Sequence, residues 1–464
     1  MKLTDIDRCK KIFLIGIGGC GVSAIAKILH QMGFEVFGSD AKESSNTIRL
    51  RDLGIKVFIE HNTSNIRAAD LVVYSSAISP DNVEFAEAKS NGIPIIRRAE
   101  MLSWIMSKFK FSIALAGTHG KTTTTSMISK IFLEGGLDPT YLIGGETDYV
   151  DGNARLGKGL YCIAEADESD GSFLELNPNI TVLTNMEPDH MEYFGDIENL
   201  KKVFNEFINK TDPSGLLVVG TDCLELKALT DKTQLKKITY GIKDNPDIYA
   251  RNIAFEEGGS TFEVVYKDKP LGHVRLPIPG EQNITNSLGA IVVSYEAGIP
   301  FSSIASTLHS FSNAKRRFQI VGEVDGIVIV DDYAHHPTEI KATIAAAKKC
   351  WKGKRIISVF QPHRYTRTLN LFKEFGEAFL NADIVILTDI YSAGEQKIKE
   401  VSGKLIFDEV KNHQEVSYIA RKEEIPEKLI KELKKGDMVL IMGAGDINTI
   451  AKEIISRLKI RAES

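Results

Sequence analysis

The sequence has little of what would mark a secreted protein, a protein with a cysteine zinc site or a membrane protein. Its five cysteines are scattered along 464 residues, and no C-x-x-C pair occurs. An odd, scattered set gives no support to a disulfide framework or to a cysteine zinc site. No apolar run reaches the roughly 20 residues of a membrane span. These absences predict a cytoplasmic protein that does not insert into a membrane.

Neither positive nor negative charge predominates in the sequence. The net charge is −5, and no run of Lys or Arg is long enough to form a tract for nucleic acid. We therefore expect no nucleic-acid partner, and anionic ligands must be bound by local sites.

The length predicts about three domains. Lys10–Lys11 and the apolar stretch Ile12–Ala26 superficially resemble a signal peptide. Asp5 and Asp7 ahead of that stretch, and four glycines inside it, predict a first βα unit instead. The βα pattern then recurs, which is typical of the α/β class. We expect domains at residues 1–108, 109–314 and 315–464.

The segment 114–126, ALAGTHGKTTTTS, carries the strongest functional signal. It follows an apolar run that predicts a buried strand, and it leads into a pattern with helical spacing. A glycine turn there exposes backbone N–H groups to an anion, Lys adds a positive charge and Thr offers a hydroxyl to a metal ion. Leu115 replaces the first glycine of the standard motif, so this is a shortened variant. The residues predicted to bind nucleotide phosphates are Gly117, Thr118, His119, Gly120, Lys121, Thr122 and Thr123.

A second glycine motif opens the chain. Gly16, Gly18 and Gly21 satisfy G-x-G-x-x-G, and a second strand ends at Asp40, about 20 residues on. Taken alone, this predicts an NAD site. The segment is short for a six-strand dinucleotide fold, however, and a second phosphate loop follows at once. The same turn suits any nucleotide conjugate, including a nucleotide sugar, so an NAD-dependent oxidoreductase remains the alternative.

Polar residues also follow the later strands of the first third. Loops after the carboxyl ends of parallel strands face the ligand crevice. His61, Ser76 and Arg98 are therefore candidate substrate contacts, although a lone histidine is more often an ordinary polar residue.

Two strands of the middle third end in possible metal ligands. LYCIAEADESD places Glu165 just beyond a strand, and His190 follows another. A divalent ion beside a triphosphate favours carboxylate and hydroxyl ligands, and an imidazole can complete a second site. We expect Glu165 and His190 to converge with Lys121. Glu168 and Asp170 are predicted to belong to a solvated loop or to cap a helix.

Asn283 and Asn286 stand three residues apart near the start of a predicted buried helix. One face of that helix suits a nucleotide base, but the two asparagines are equally typical of helix caps.

In the last third, four predicted strands each end in a polar cluster. Arg364 and Arg367 are suited to binding a carboxylate. Arg316 and Arg317, near a presumed hinge, either belong to a solvated linker or reach a transferred phosphate.

Together these motifs resemble the Mur ligase family over nearly the whole chain. They are, in order, GIGGCGVS with GSD, RRAEML, AGTHGKTTTT, EADESDGSF, TNMEPDHMEYF, NxxNSLGA, RRFQ, DDYAHHP, FQPHRYTRT and DIYSAGE. The GTHGKTTTT form and the paired DDYAHHP and PHRYTRT loops favour the alanine-adding member of the family. The resemblance implies three α/β domains: an N-terminal Rossmann-like UDP-sugar domain, a central P-loop-type ATPase domain and a C-terminal Rossmann-like domain.

The resemblance also implies an activity. The expected enzyme uses ATP to join L-alanine to the carboxylate of UDP-N-acetylmuramate through an acyl phosphate, in peptidoglycan precursor synthesis for cell-wall biogenesis, cell shape and division. The alternatives are a sister Mur ligase that adds another amino acid or peptide, and a UDP-sugar sensor with an inactive nucleotide site. We expect a monomer or a homodimer.

The implied site residues fall into four groups. UDP-sugar contacts are Gly18, Gly19, Cys20, Gly21, Asp40, His61, Ser76, Ala77 and Arg98. ATP contacts beyond the phosphate loop are Asn283, Asn286, Arg317 and Asp332. Mg²⁺ or Mn²⁺ ligands are Thr122, Glu165 and His190. Amino-acid contacts are Tyr333, His335, Arg364 and Arg367, with His335 as candidate base and Lys121, Arg316 and Arg317 stabilising charge.

Overall fold

A computed structural model describes residues 3–147, 149 and 152–463. In these residues the strands form three sheets, which confirms the predicted α/β class and its three-part organisation. The chain divides into two compact units. One comprises Met1–Tyr249, Val264–Leu271 and Thr285–Leu308, and the other comprises Ala250–Glu263, Gly272–Ile284 and His309–Ser464.

The first sheet has five parallel strands in the order β3-β2-β1-β4-β5. Its strands are β1 (Lys11–Ile15), β2 (Glu35–Asp40), β3 (Lys56–Ile59), β4 (Leu71–Tyr74) and β5 (Ile95–Arg97). Its helices are α1 (Cys20–Gln31), α2 (Ser45–Asp52), α3 (Val83–Ser90) and α4 (Arg98–Ser107), with 3-10 turns at Leu3–Arg8 and Thr63–Ile66. The apolar run of β1 lies at the centre of the sheet, where both faces are buried.

The second sheet has ten strands in the order β15-β14-β13-β12-β11-β10-β6-β9-β7-β8. They are β6 (Phe111–Ala116), β7 (Thr140–Thr147), β8 (Gly152–Arg155), β9 (Tyr161–Glu165), β10 (Ile180–Leu183), β11 (Leu216–Gly220), β12 (Lys237–Gly241), β13 (Ile248–Glu256), β14 (Gly259–Tyr266) and β15 (Lys269–Leu276). The accompanying helices are α5 (Lys121–Glu134), α6 (Met191–Phe194), α7 (Ile197–Asn209), α8 (Leu224–Thr230), α9 (Glu281–Glu296) and α10 (Phe301–His309), with a 3-10 turn at Ser172–Glu175. Because β6 runs parallel to both β9 and β10, their carboxyl ends share one edge.

The third sheet has six strands in the order β16-β17-β21-β18-β19-β20. They are β16 (Gln319–Val324), β17 (Ile327–Asp332), β18 (Arg355–Phe360), β19 (Ile384–Leu387), β20 (Val416–Tyr418) and β21 (Asp437–Met442). Its helices are α11 (Pro337–Cys350), α12 (Tyr365–Ala378), α13 (Lys404–Val410), α14 (Ile425–Glu432) and α15 (Thr449–Glu463), with a 3-10 turn at Lys422–Glu424. The four predicted strands are present, whereas the antiparallel edge strand β16 was not predicted.

No helix in the described part of the chain is both long and apolar enough to cross a lipid bilayer.

Candidate active site

The predicted strand, glycine turn and helix are present: the strand is β6, the helix is α5, and the glycine turn joins them. Gly117 and Gly120 have positive φ angles of 136° and 84°. A Cβ atom on Gly117 would lie 2.1 Å from the Thr184 hydroxyl oxygen, and one on Gly120 would lie 2.4 Å from Asn286 Oδ1. Both the backbone conformation and the lack of space therefore require glycine here.

The end of β10 anchors this loop. The His119 N–H donates to Asn185 Oδ1 at 2.8 Å, and the Thr184 hydroxyl donates to the His119 carbonyl at 2.6 Å. The four consecutive threonines at the start of α5, residues 122–125, are buried. The Thr124 hydroxyl donates a hydrogen bond to the Gly120 carbonyl at 2.9 Å. The threonines thus pack the helix beneath the loop, which explains why weak helix formers occur there.

Lys121 is held in an ion pair that the sequence did not reveal. Its Nζ lies 2.6 Å from Glu168 Oε1 and 2.5 Å from the Gly117 carbonyl oxygen. Burial alone would lower the pKa of Lys121, but the adjacent Glu168 carboxylate raises that pKa above its ordinary value. Placing Glu168 in a solvated loop or at a helix cap was wrong, because its side chain is only 5% exposed. Asp170 Oδ1 accepts the Ser172 N–H at 3.0 Å, but the N-cap residue of the 3-10 turn is Gly171, so Asp170 is not the cap.

Glu165 and Thr122, two of the three predicted metal ligands, are neighbours. The Thr122 hydroxyl lies 3.1 Å from Glu165 Oε2, and the Gly144 N–H fixes the other carboxylate oxygen at 2.5 Å. A carboxylate and a hydroxyl at the end of the phosphate loop are the donor types that Mg²⁺ and Mn²⁺ favour, so these residues fit a divalent ion. His190 is the N-cap residue just before α6. Its backbone is left-handed (φ 55°), and its ring nitrogens lie 3.6 Å from the Asp189 and Glu192 carboxylates.

The glycine turn after β1 is tied to the end of β2. The Gly18 N–H donates to Asp40 Oδ2 at 2.9 Å, and Asn46 Nδ2 donates to the Gly18 carbonyl at 2.9 Å. Asp40 therefore organises the turn that the sequence assigned to a nucleotide, while Ser76 and Ala77 lie in the loop that follows β4. The predicted contacts from these three strands share the carboxyl edge of the first sheet.

Cys20 and Arg98 link that edge to the middle of the chain. The Cys20 thiol donates to the Gly144 carbonyl at 3.1 Å, and Asn153 Nδ2 donates to the Cys20 carbonyl at 2.9 Å. Cys20 is exposed, yet desolvation and the nearby Glu165 charge raise the pKa of its thiol to about 11. Arg98 Nη2 lies 3.0 Å from Asp167 Oδ2. Sequence reasoning gave Asn153 and Gly144 no role, because neither belongs to a recognisable motif.

His61 has partners within the fold. Its Nδ1 lies 2.9 Å from both Glu84 Oε2 and Ser39 Oγ, and Glu84 is fully buried. Because Ser39 directly precedes Asp40, this network holds the end of β2 that supports the glycine turn. His61 therefore fits a supporting position better than the direct substrate contact that its place in the sequence indicated.

The two helix-start asparagines differ. Asn283 Nδ2 donates to the Pro279 carbonyl at 2.7 Å, which is typical of a bond that fixes a helix start. Asn286 instead lies against Gly120 in the phosphate loop. Both side chains are buried.

Arg316 and Arg317 lie at the edge of the third sheet. Arg316 donates to the carbonyl oxygens of Gly443 and Gly445 at 2.5 and 3.1 Å, and it pairs with Asp331 at 3.3 Å. Both guanidinium groups lie over the Tyr333 ring, at 5.1 and 5.2 Å. The solvated-linker interpretation is therefore wrong for Arg316, which is held by the sheet.

Asp332 organises the segment that follows β17. Its carboxylate oxygens accept the backbone N–H groups of Phe318 and Ala334 at 2.9 and 2.7 Å. Burial raises the pKa of Asp332 to about 6, against the opposing charge of Arg317. This places the following Tyr333 and His335 at the carboxyl end of the strand.

Three of the four predicted amino-acid contacts, Tyr333, His335 and Arg367, are linked through His363 at the ends of β17 and β18. His335 Nδ1 lies 2.9 Å from the Tyr333 carbonyl oxygen, and its ring lies 5.9 Å from that of His363. His363 Nδ1 in turn lies 3.3 Å from Arg367 Nη1. Arg364 precedes α12 with an uncommon φ of 70°, a conformation that concentrates at functional sites.

Comparisons with known proteins agree with this geometry. Residues 11–110 match the Mur ligase family catalytic domain, residues 115–294 the Mur ligase middle domain, and residues 316–445 the Mur ligase glutamate ligase domain. The UDP-N-acetylmuramate–L-alanine ligase of Pelotomaculum thermopropionicum is 46% identical over 98% of this chain and 99% of its own length. That of Desulforamulus reducens is 47% identical over 97% and 98%.

Solved structures show the same fold. The crystal structure of the UDP-N-acetylmuramate–alanine ligase of Thermotoga maritima has a TM-score of 0.83 at 29% identity, covering 97% of this chain and 99% of that one. A murein peptide ligase of Psychrobacter arcticus has a TM-score of 0.73 at 24% identity, covering 97% and 98%.

The three sheets, the lysine-containing phosphate loop and the matches to Mur ligase domains together define an ATP-dependent enzyme that forms amide bonds. The chain belongs to the Mur ligase family. This confirms the resemblance found in the sequence and leaves the NAD-dependent oxidoreductase without support.

Proposed function

We propose that this ligase joins L-alanine to the carboxylate of UDP-N-acetylmuramate in peptidoglycan precursor synthesis. ATP phosphorylates that carboxylate, the alanine amine attacks the acyl phosphate, and collapse of the tetrahedral intermediate gives the amide, ADP and phosphate. The main support is the placement of Lys121, Thr122 and Glu165 at neighbouring strand ends in a chain so similar to alanine-adding ligases.

Lys121 supplies positive charge where phosphoryl oxygens bind. Its ammonium is held beside the glycine turn by Glu168 and the Gly117 carbonyl, so it is oriented before the triphosphate arrives. Phosphoryl transfer depends mainly on positioning and charge stabilisation, which a fixed ammonium and the N-terminus of α5 provide. Gly117, Thr118, His119, Gly120, Thr122 and Thr123 supply the rest of the loop, and Asn286 lies beside it.

Thr122, Glu165 and His190 would hold a divalent cation, Mg²⁺ or Mn²⁺. Such an ion neutralises negative charge on phosphate oxygens. The chain's own contribution is to orient Glu165, through the hydrogen bonds from Gly144 and Thr122.

The first sheet supplies the UDP-sugar site in this proposal. The N-terminus of α1 and the turn at Gly18, Gly19, Cys20 and Gly21 suit a diphosphate, because backbone N–H groups and the helix dipole favour anions. Asp40, Ser76, Ala77 and Arg98 complete the edge, and His61 supports it through Ser39.

The third sheet supplies the amino-acid site. Arg364 and Arg367 suit the alanine carboxylate. Tyr333 and His335 are in ring contact, and His335 is linked to Arg367 through His363. The alanine amine must lose a proton before it attacks, and His335 is our candidate base. Arg316 and Arg317 add positive charge for the transferred phosphate, and Asp332 orders the backbone next to them at Phe318 and, beyond β17, at Ala334. Asn283 fixes the start of α9.

A coupled ADP-release assay tests this function. We expect ADP release with UDP-N-acetylmuramate and L-alanine together, and at most a few per cent of that rate when either is omitted. Stronger turnover with another amino acid or a peptide would favour a sister ligase. No ADP release with any combination would favour a UDP-sugar sensor. Mass photometry of the same sample would tell the predicted monomer from a homodimer.

Arg364→Ala should weaken alanine binding selectively. Loss of a charge-assisted bond to a carboxylate costs about 1.5–3 kcal/mol, which corresponds to roughly a 10- to 100-fold higher KM for alanine. The KM for ATP should stay within about twofold. Steady-state kinetics with each substrate varied in turn provide the measurement.

Arg421→Ala serves as the matched control, because Arg421 is an exposed arginine of the same part of the chain, with its partner Glu424 three residues away. An unchanged alanine KM in Arg364→Ala would remove Arg364 from the amino-acid site.

A further inference from the structure

Two consecutive carboxylates in the turn after β9 pair with basic side chains that belong to the two proposed nucleotide sites. Asp167 Oδ2 accepts a hydrogen bond from Arg98 at 3.0 Å. Glu168 Oε1 accepts one from Lys121 at 2.6 Å. Arg98 belongs to the edge of the first sheet and Lys121 to the phosphate loop of the second. One turn of the chain therefore touches both sites.

The turn itself is tightly bonded. Asp167 Oδ1 accepts the N–H and the hydroxyl of Ser169 at 3.1 and 2.7 Å. The Phe173 N–H donates to the Asp167 carbonyl at 3.1 Å, and the Gly171 N–H donates to the Glu168 carbonyl at 3.0 Å. Because these bonds fix both residues in one short segment, a displacement of Asp167 also displaces Glu168.

Arg98 lies where a bound diphosphate would contact it. A Cβ atom on Gly21 would be 2.9 Å from Arg98 Nη1, so the guanidinium rests directly on the first turn of α1. A guanidinium has five N–H donors and can keep Asp167 while it binds a second anion. An anion at the glycine turn would therefore hold Arg98, and with it the turn after β9, more firmly.

A firmly held turn would also fix the position of Lys121 through Glu168. Its ammonium donates to Glu168 Oε1 at 2.6 Å, to the Gly117 carbonyl at 2.5 Å and, at the longest distance, to the Thr118 carbonyl at 3.4 Å. A fixed Glu168 keeps the ammonium beside the glycine turn, where the longest of these bonds can be exchanged for one to a phosphate oxygen. Binding to a preorganised group costs less conformational entropy and is tighter.

We propose that Asp167 and Glu168 couple the two nucleotide sites, so that an occupied UDP-sugar site tightens the binding of the triphosphate. Both are positioning residues, which act through Arg98 and Lys121. Linkage makes the effect reciprocal, so the triphosphate also tightens UDP-sugar binding. This inference rests on the proposed function, which assigns the two sites.

Isothermal titration calorimetry on the full chain tests the coupling. The probe is the non-hydrolysable analogue AMP-PNP with Mg²⁺, titrated with and without saturating UDP-N-acetylmuramate. In the parent protein we expect the Kd of the analogue to fall about 5- to 10-fold when the UDP-sugar is present. In Asp167→Asn the same comparison should give less than about a twofold change, because a neutral amide no longer holds Arg98 as an ion pair.

Two further variants separate coupling from a general structural effect. Glu168→Gln breaks the other half of the link and should also reduce the coupling below about twofold. Asp170→Asn is the matched control, because Asp170 lies in the same turn and accepts only the Ser172 N–H among the bonds described there, not one from Arg98 or Lys121. It should keep the parental coupling. If Asp167→Asn does not fold by circular dichroism, Glu168→Gln decides the question.

Parental coupling in a folded Asp167→Asn or Glu168→Gln variant would overturn the proposal, as would a parent protein in which the UDP-sugar leaves the Kd of the analogue unchanged. A parent protein that binds neither nucleotide would instead contradict the proposed function.

Discussion

Replacing Lys121 with alanine is expected to reduce ligation about 1,000-fold while UDP-N-acetylmuramate binding to the free enzyme stays within about twofold. Removal of one preorganised donor from a site of developing charge typically costs 10²- to 10³-fold in rate. The proposed UDP-sugar site lies on another sheet, so its affinity in the absence of ATP should persist. The ADP-release assay and calorimetry with the UDP-sugar measure the two effects.

A second variant keeps this test interpretable. Lys121→Ala leaves the buried Glu168 carboxylate without its cation, and an uncompensated buried charge costs about 3–5 kcal/mol of folding stability. Combining it with Glu168→Gln removes that charge, so thermal stability should recover while ligation stays lost. If a folded Lys121→Ala variant retained a tenth or more of the parental rate, the phosphate-loop assignment would have to be abandoned.

Replacing Glu165 with glutamine is expected to produce the second-largest loss, about 100-fold in kcat at ordinary Mg²⁺ concentration. Glutamine keeps the size of the side chain and an oxygen that can accept the Gly144 N–H, but it lacks the charge that attracts a divalent ion. The Mg²⁺ concentration needed for half-maximal activity should therefore rise at least about 10-fold. Titrating Mg²⁺ in the ADP-release assay measures the shift.

Asp170→Asn again serves as the control for Glu165, because it removes one negative charge from the same loop without touching Thr122 or Glu165. It should leave the Mg²⁺ titration unchanged. A Glu165→Gln enzyme with the parental Mg²⁺ dependence would show that Glu165 is not a metal ligand.

One part of the fold was missed although the sequence contains its signal. Strands β16 and β17 form an antiparallel hairpin around Asp325 and Gly326, which have φ angles of 50° and 72°. An Asp-Gly pair between two apolar runs is a strong hairpin signal, because both residues tolerate positive φ.

The assignment of Glu168 failed for a different reason. Its partner Lys121 lies 47 residues away, and Arg98 lies 69 residues from Asp167. These contacts exist because β9 pairs next to β6 rather than next to β10, its successor in the chain. No local pattern records which strands become neighbours, so the sequence could not tell which acids of this cluster pair with Lys121 and Arg98.

The sequence by itself determined the family, the phosphate loop, the glycine turn at Gly18 to Gly21 and most strands, because backbone conformation and apolar periodicity are local properties. Only the tertiary structure decided that Glu168 pairs with Lys121, that Asp167 pairs with Arg98, and that Arg316 is held by the third sheet. The energy of a buried charge depends on neighbours that the chain order does not specify, so these partners appear only when the strands are assembled.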